Sequence, residues 1–163
     1  MSKAVISKVV EIDNCPQEKL IGAIYKSKFW EELSPVSQIE VNFTAPNVFH
    51  SVIVDKVKVV NIPIEMEGEM VLNDKGDQEG KGRLIEFNVR NNKNVKKLDG
   101  NMRVKALSPN KSKLGIFVHH FILEDDFLKL FGGAAELTLR TKITNMLRNL
   151  EKFCKTNDLS EFL

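Results

Sequence analysis

The sequence predicts an α+β domain in which a curved, seven-stranded antiparallel sheet surrounds one long C-terminal helix, with two short helices after the first strand. Three observations lead to this prediction. Short segments of alternating apolar and polar residues fill most of the chain, as in antiparallel sheets. The connections between them are too short for the crossovers that parallel strands need. The last third changes to apolar steps of three and four residues, which is typical of an amphipathic helix.

The first quarter of the chain combines one strand with two short helices. Lys3–Ile12 is rich in Val and Ile and predicts a strand. Pro16 suits the first position of a helix, where its missing N–H costs nothing. A second short helix is predicted over Lys28–Leu33, and Ser34-Pro35 ends it. Both helices are therefore expected before the sheet continues.

Six further strands follow, separated by polar turns. They are predicted over residues 36–44, 48–60, 64–72, 83–90, 95–107 and 114–123. Alternation is clearest in the third of these, where one face carries Ile64, Met66, Gly68, Met70 and Leu72 and the other carries three glutamates. Such a strand has one buried and one solvated face.

The C-terminal helix is predicted from Phe127 to about Cys154. Its apolar stripe needs a partner, and the concave face of the sheet is the available surface. The stripe consists of Leu139, Ile143, Met146, Leu147, Leu150, Phe153 and Cys154. Gly132 and Gly133 would cost about 1–2 kcal/mol inside a helix. They predict either a kink or lid near a cavity mouth, or a later helix start preceded by a separate turn over 127–131.

Composition limits the function classes. The 163 residues are 42% hydrophobic and 28% charged, with a net charge of +2, which predicts a single globular domain over 1–163 and no nucleic-acid partner. We expect a cytoplasmic protein without stable membrane insertion, because no signal sequence or membrane-spanning run is present. Cys15 and Cys154 lack the spacing of a disulfide framework or metal site. We expect no cofactor, no metal and no catalytic motif.

The order of elements resembles a known superfamily. The residues that carry the resemblance are Val9–Pro16 before the first helix, Phe29-Trp30 in the second, and the Leu137–Lys155 helix. Together they resemble the START-like or Bet v 1-like superfamily (SRPBCC, the polyketide cyclase and lipid-transport group), and point to a prokaryotic, archaeal-type member. The resemblance implies a helix-grip fold that holds a hydrophobic molecule between sheet and helix. Ala45-Pro46-Asn47 departs from the glycine-rich loop of the plant branch, so no plant-branch residues are carried over.

A candidate ligand-binding set follows from the inward strand positions and the helix stripe. Its methionines would suit a variable apolar ligand, although ordinary core packing explains them equally well. The set is Phe43, Met66, Met70, Phe87, Met102, Val104, Val118, His120, Phe131, Ala135, Leu139, Ile143 and Met146.

Two polar positions are further candidates for the cavity. His119 and His120 are adjacent, so a regular strand would send them to opposite faces, and His120 is in line with inward Val118. It would orient a ligand hydroxyl or act as a base, or it is a hydrogen-bonded histidine without chemistry. Asp55 falls on the inward side of a regular strand. A β-bulge that turns it outward is the favoured interpretation, because unpaired buried carboxylates are rare.

The other face of the last strand carries Phe117, Phe121 and Leu123. A row of exposed apolar residues would suggest a partner surface, with a homodimer as the simplest form. A bulge or neighbouring elements that cover the row are the alternative.

The sequence therefore predicts a protein that binds or carries a hydrophobic small molecule, such as a lipid or a polycyclic or aromatic metabolite. Two alternatives stay open. One is an enzyme of the cyclase or aromatase type that uses polar groups such as His120 or Asp55. The other is a protein-interaction module with a closed interior.

Overall fold

The computed structural model describes residues 4–56, 63–131 and 133–163, except for the side chains of Leu128, Leu130 and Phe131. The chain begins with one strand and two short helices, continues through six strands, and ends in helices. In order, the elements are β1 (Ile6–Asp13), α1 (Gln17–Ile24), α2 (Ser27–Leu33), β2 (Gln38–Ala45), β3 (Val48–Lys56), β4 (Pro63–Gln78), β5 (Gly82–Arg90), β6 (Val95–Ser108), β7 (Lys111–Leu123), α3 (Asp125–Phe131), α4 (Ala135–Thr156) and a 3₁₀ turn (Leu159–Phe162). Residues 57–60, predicted as the end of the third strand, lie outside the described residues.

The sheet is antiparallel throughout, with the strand order β1-β7-β6-β5-β4-β3-β2. Strands β2 to β7 pair in the order in which they follow one another along the chain, as antiparallel strands with short connections do. The first strand then closes the far edge by pairing with the last. The predicted fold class, a helix-grip α+β fold, is confirmed. The β4–β5 hairpin is longer than predicted, because β4 continues to Gln78 and the glycine-bearing segment forms strand and a tight turn.

The concave face of the sheet is covered by the helices. α4 lies against β1 and α2, and its buried residues are Met146, Leu147, Leu150 and Cys154. They join one core with Leu20, Ala23 and Ile24 of α1 and Phe29 and Leu33 of α2. The 3₁₀ turn completes this end, because Phe162 stacks on Phe153 at 4.7 Å between ring centroids. Cys15 and Cys154 meet here as free, buried thiols, and the hydrogen bond between them raises the pKa of Cys15.

The predicted single C-terminal helix is wrong at its start. The structure has α3 ending at Phe131 and α4 beginning at Ala135, with Gly133 in the turn between them. The later helix start was the alternative interpretation of the two glycines. Glycine has low helix propensity, so ending a helix at this position loses less stability than ending it elsewhere. Gly132 lies outside the described residues.

A β-bulge in β7 changes the predicted side-chain directions. Val118 pairs with Gly100 and His120 pairs with Asp99, so His119 is the extra residue. Beyond it the alternation is reversed, as expected where one extra residue enters a strand. Phe121 and Leu123 therefore face the concave side, and the predicted exposed row does not exist. Phe117 stays on the outer face, where its ring lies across Gly115.

Candidate ligand-binding cavity

A cavity of about 310 Å³ lies between the concave face of the sheet and the first half of α4, and it is partly open to solvent. This volume is at the small end of the range of small-molecule sites. Its walls are mostly apolar and come from residues spread along the chain between Trp30 and Met146. The sheet contributes Ile39, Phe49, Ser51, Ile53, Asp55, Met66, Glu67, Gly68, Glu69, Met70, Val89, Val95, Leu98, Phe121 and Leu123. The helices and loops contribute Trp30, Ser34, Pro35, Val36, Asn92, Phe127, Ala135, Thr138, Leu139, Lys142, Ile143 and Met146.

The hollow exists because small side chains occupy several of the wall positions. Ser51 and Gly68 on the sheet and Ala135 at the start of α4 present little volume to the space between sheet and helix. The Asn92 side chain leaves no room for a larger residue at position 68, since a Cβ on Gly68 would come within 2.3 Å of its nitrogen. Asn92 is fixed in turn, because its Oδ1 accepts hydrogen bonds from the backbone N–H groups of Asn94 and Val95 at 2.9 and 2.8 Å.

The structure separates the thirteen candidate residues into groups. Six line the cavity: Met66, Met70, Ala135, Leu139, Ile143 and Met146. Four are buried in the neighbouring core instead: Phe87, Met102, Val104 and Val118. Phe43 is half-buried and packs on Phe49, with 5.3 Å between ring centroids. The side chain of Phe131 lies outside the described residues. Ligand contact stays a prediction for every member of the set.

The inward orientation predicted for His120 is wrong. The bulge at His119 turns both histidines to the outer face of the sheet, where the Nδ1 of His120 lies 2.8 Å from a carboxylate oxygen of Asp99. The Nε2 of His119 lies 3.1 Å from the side-chain nitrogen of Asn101. Neither imidazole lines the cavity, so His120 cannot orient a ligand there. Each imidazole therefore lies beside a polar side chain of β6 on the outer face of the sheet.

The expectation for Asp55 is also wrong, but in the other direction: the β-bulge that would turn it outward is absent, and Asp55 faces inward. The register between β3 and β4 is continuous from Val48 to Lys56, so Asp55 keeps the inward direction that regular alternation gives it. It is only 7% exposed. Its carboxylate pairs with the Nζ of Lys142 on α4 at 2.5 Å and accepts a hydrogen bond from Ser37 Oγ at 3.3 Å.

Lys142 bridges the helix to the segment after α2. Besides the ion pair, its ammonium donates a hydrogen bond to the backbone carbonyl of Pro35 at 2.8 Å. Helical periodicity places Lys142 on the polar side of α4. A lysine has a long apolar stem that can pass along a hydrophobic wall while its charged end reaches a polar partner. The cavity therefore has an apolar interior and one neutralised polar corner, made by Asp55 and Lys142.

Sequence reasoning missed part of the lining although the signal was present. Phe49, Ile53, Val89 and Leu98 all occupy inward positions of alternating strands. Others come from segments without periodicity, so no pattern could place them: Ser34, Pro35, Val36 and Asn92. Within residues 4–56, 63–131 and 133–163, no group of three His, Cys, Asp or Glu side chains is arranged to hold a metal ion. No helix in the same ranges is long and apolar enough to cross a bilayer.

Comparison with known proteins gives a structural answer only. No family model matches the sequence, and no curated protein matches it. Solved structures do match over nearly the whole chain. A START superfamily protein from Mycobacterium smegmatis has a TM-score of 0.64 at 10% identity, covering 92% of this chain and 96% of that one. A protein from Thermus thermophilus has a TM-score of 0.67 at 12% identity, with the same coverage.

An aromatase/cyclase from Streptomyces sp. R1128 gives a TM-score of 0.59 at 15% identity, covering 96% of this chain and 91% of that one. This chain has the START-like fold. At these identities the likeness concerns the fold alone. The matched organisms named here are bacterial, and the expected archaeal-type origin has no support.

Proposed function

We propose that this protein binds and carries a hydrophobic small molecule, with an apolar body of the size of a lipid chain or a small polycyclic or aromatic metabolite. The observation that carries the proposal is the mostly apolar cavity between the sheet and α4. Water in such a space gains few hydrogen bonds, so an apolar occupant is favoured. The START-like fold shared with the solved neighbours supports this assignment. The cavity of this chain lies where its sheet and terminal helix meet.

Shape alone supplies useful affinity in such a site. Each Å² of apolar ligand surface removed from water contributes about 25 cal/mol, before the cost of association. Met66, Met70 and Met146 line the cavity, and unbranched methionine side chains adapt to ligands of different outline. We therefore propose a carrier that selects by size and apolarity, in a domain that spans residues 1–163. Its expected cytoplasmic location stays a prediction.

An enzyme of the cyclase or aromatase type is the second candidate. One observation favours it: Asp55 and Lys142, two groups able to move protons, stand together at the cavity wall. His120 no longer contributes to this hypothesis. An Asp55→Asn variant that still binds a ligand but no longer converts it would favour the enzyme over the carrier.

The carrier proposal is tested by filling the cavity from α4. Leu139→Trp adds an indole where Leu139 lines the hollow, and we expect it to reduce binding of the neutral dye N-phenylnaphthylamine by ten-fold or more. Leu137→Trp is the matched control, since Leu137 lies on the same helix but is 63% exposed. Fluorescence titration measures both, and urea unfolding confirms that both variants fold. Wild-type protein that does not bind the dye, or equal binding by both variants, would reject the proposal.

A further inference from the structure

The polar corner of the cavity specifies more than an apolar ligand. Its two charged groups come from distant parts of the chain, Asp55 from β3 and Lys142 from α4, and meet at 2.5 Å. Glu67 and Glu69 also border the cavity at β4, but they alternate with the inward residues of that strand, so their side chains lie on the outer face of the sheet. There their carboxylates pair with Lys93 and Arg90 at 3.0 and 3.2 Å. Asp55 and Lys142 are therefore the charged groups that a bound molecule would meet.

Hydrogen-bond capacity remains at this corner. An ammonium group has three N–H donors, and at most two of those of Lys142 are engaged, one by the Pro35 carbonyl and one in the ion pair with Asp55. One donor is left without an acceptor among the described residues. An ionised carboxylate has about four acceptor positions. The hydrogen bond from Ser37 and the ion pair with Lys142 occupy at most two of those of Asp55. The corner can thus both donate to and accept from the same ligand atom.

The net charge of the corner decides which atom fits. Lys142 is already neutralised by Asp55, so an anionic ligand group would lie about as close to the Asp55 carboxylate as to the ammonium. At the border of an apolar cavity such like-charge contact is weakly screened and costs free energy. A hydroxyl group has no net charge. Its oxygen accepts a hydrogen bond from the remaining N–H of Lys142, and its O–H donates a hydrogen bond to Asp55. A plain hydrocarbon would leave both capacities unused.

Building on the proposed carrier function, we propose that the ligand is an uncharged molecule with an apolar body and one terminal hydroxyl group, an alcohol or phenol, whose oxygen binds between Lys142 and Asp55. Acids of the same chain length are rejected by Asp55. The corner then acts as a specificity filter, while the apolar walls provide most of the affinity.

The test compares decanol with decanoate, which have the same chain length and differ in the charge of the head group. Each is titrated against protein loaded with N-phenylnaphthylamine at neutral pH, below the concentration at which decanoate aggregates. We expect decanol to displace the dye at a concentration about ten-fold lower than decanoate does. A hydrogen bond to a charged group raises affinity by about ten-fold or more.

Three variants separate the two groups. Asp55→Asn removes the negative charge and leaves Lys142 as a free cation, so the preference should invert in favour of decanoate. Lys142→Met leaves Asp55 unpaired, and decanoate should bind still more weakly than in the wild type. Because an unpaired buried carboxylate destabilises the fold, the double variant Asp55→Asn with Lys142→Met serves as the folded control. In this variant the concentrations of decanol and decanoate that displace the dye should differ by about two-fold or less.

The outcomes distinguish this inference from the carrier function itself. If the dye does not bind wild-type protein, the proposed function fails. If the dye binds and decanoate displaces it as well as decanol does, or neither displaces it, the hydroxyl specificity is overturned while the cavity remains a binding site.

Discussion

The two ends of the space between the sheet and α4 differ sharply, although one sheet face and one helix form both. At the end that we call the packed end, the C-terminal half of α4 shares one apolar core with α1 and the 3₁₀ turn. Its residues include Leu20, Val104, Leu114, Leu150 and Leu159, all nearly inaccessible to solvent. At the cavity end, the first half of α4 faces Met66, Ile53 and Phe121 across empty space.

The two ends differ in the side chains that occupy the space between the sheet and α4. At the packed end, Phe29 of α2 and Phe162 of the 3₁₀ turn approach each other at 5.9 Å between ring centroids and occupy the volume beneath the sheet. No comparable plug enters the cavity end in the part of the chain that the structure describes. The same amphipathic helix therefore packs into the core with one half and lines the cavity with the other.

The first prediction tests this division with one substitution at each end of α4. Leu150→Ala removes a side chain with no solvent exposure and should lower the free energy of unfolding by about 2–5 kcal/mol. Leu139→Ala should cost about 1 kcal/mol or less, since Leu139 already borders a void and has fewer contacts to lose. Urea unfolding of both variants measures the difference. Equal losses would mean that the cavity end is as well packed as the other.

The second prediction concerns the boundary between the two ends, where the bulge in β7 lies. A Cβ at Gly100 would come within 1.9 Å of the Phe117 carbonyl oxygen and 2.9 Å of the Phe87 ring. Gly100→Ala should therefore destabilise the protein by about 1–3 kcal/mol and disturb the bulge. It should also weaken dye binding, because the bulge directs Phe121 into the cavity.

The matched control for this change is Gly133→Ala. A Cβ at Gly133 meets no described atom within 4 Å, so its effect on the free energy of unfolding should be close to zero. If Gly100→Ala were as harmless as Gly133→Ala in urea unfolding, the bulge would tolerate a side chain, and its role in separating the two ends would be wrong.

Strand parity explains which parts of this boundary the sequence could predict. In β4 the alternation of Ile64, Met66, Gly68, Met70 and Leu72 is unbroken, and the predicted inward face is confirmed. In β7 the same reasoning held up to Val118 and then failed. The cause is the pairing with Gly100 on β6, which allows an extra residue at His119. A bulge depends on the neighbouring strand, so alternation within one strand does not contain it.

The polar corner is a second feature that patterns within a single element do not contain. Strand parity places Asp55 inward, but the rarity of unpaired buried carboxylates favours an outward bulge instead. The partner, Lys142, lies on a distant helix, and its own periodicity places it among polar residues. Only the tertiary contact between β3 and α4 brings the two charges together. Local patterns predicted the element order and six residues of the cavity wall, whereas pairs across the fold required the structure.

The smallest expected effect lies at the outer border of the packed end, where an ion pair ties the 3₁₀ turn to α1. The Nζ of Lys19 lies 2.9 Å from Asp158, whose carboxylate also accepts a hydrogen bond from the Ser160 backbone N–H at 2.8 Å. The Lys19 hydrogen bond and, after it, that of Ser160 hold the pKa of Asp158 well below its usual range.

Because the pKa of Asp158 is lower in the folded than in the unfolded protein, the pair stabilises the fold above the unfolded-state value of about 3.9. This contribution disappears as the pH falls towards the folded-state pKa. Asp158→Asn keeps an oxygen that can cap the turn but removes the charge. It should lower the urea midpoint slightly at neutral pH, with a difference from wild type that shrinks below about pH 4. Lys19→Met should show the same trend. A difference that stays constant from pH 7 to 3 would mean that the charge of Asp158 does not hold the 3₁₀ turn against α1, and that apolar contacts such as Phe153 on Phe162 do so alone.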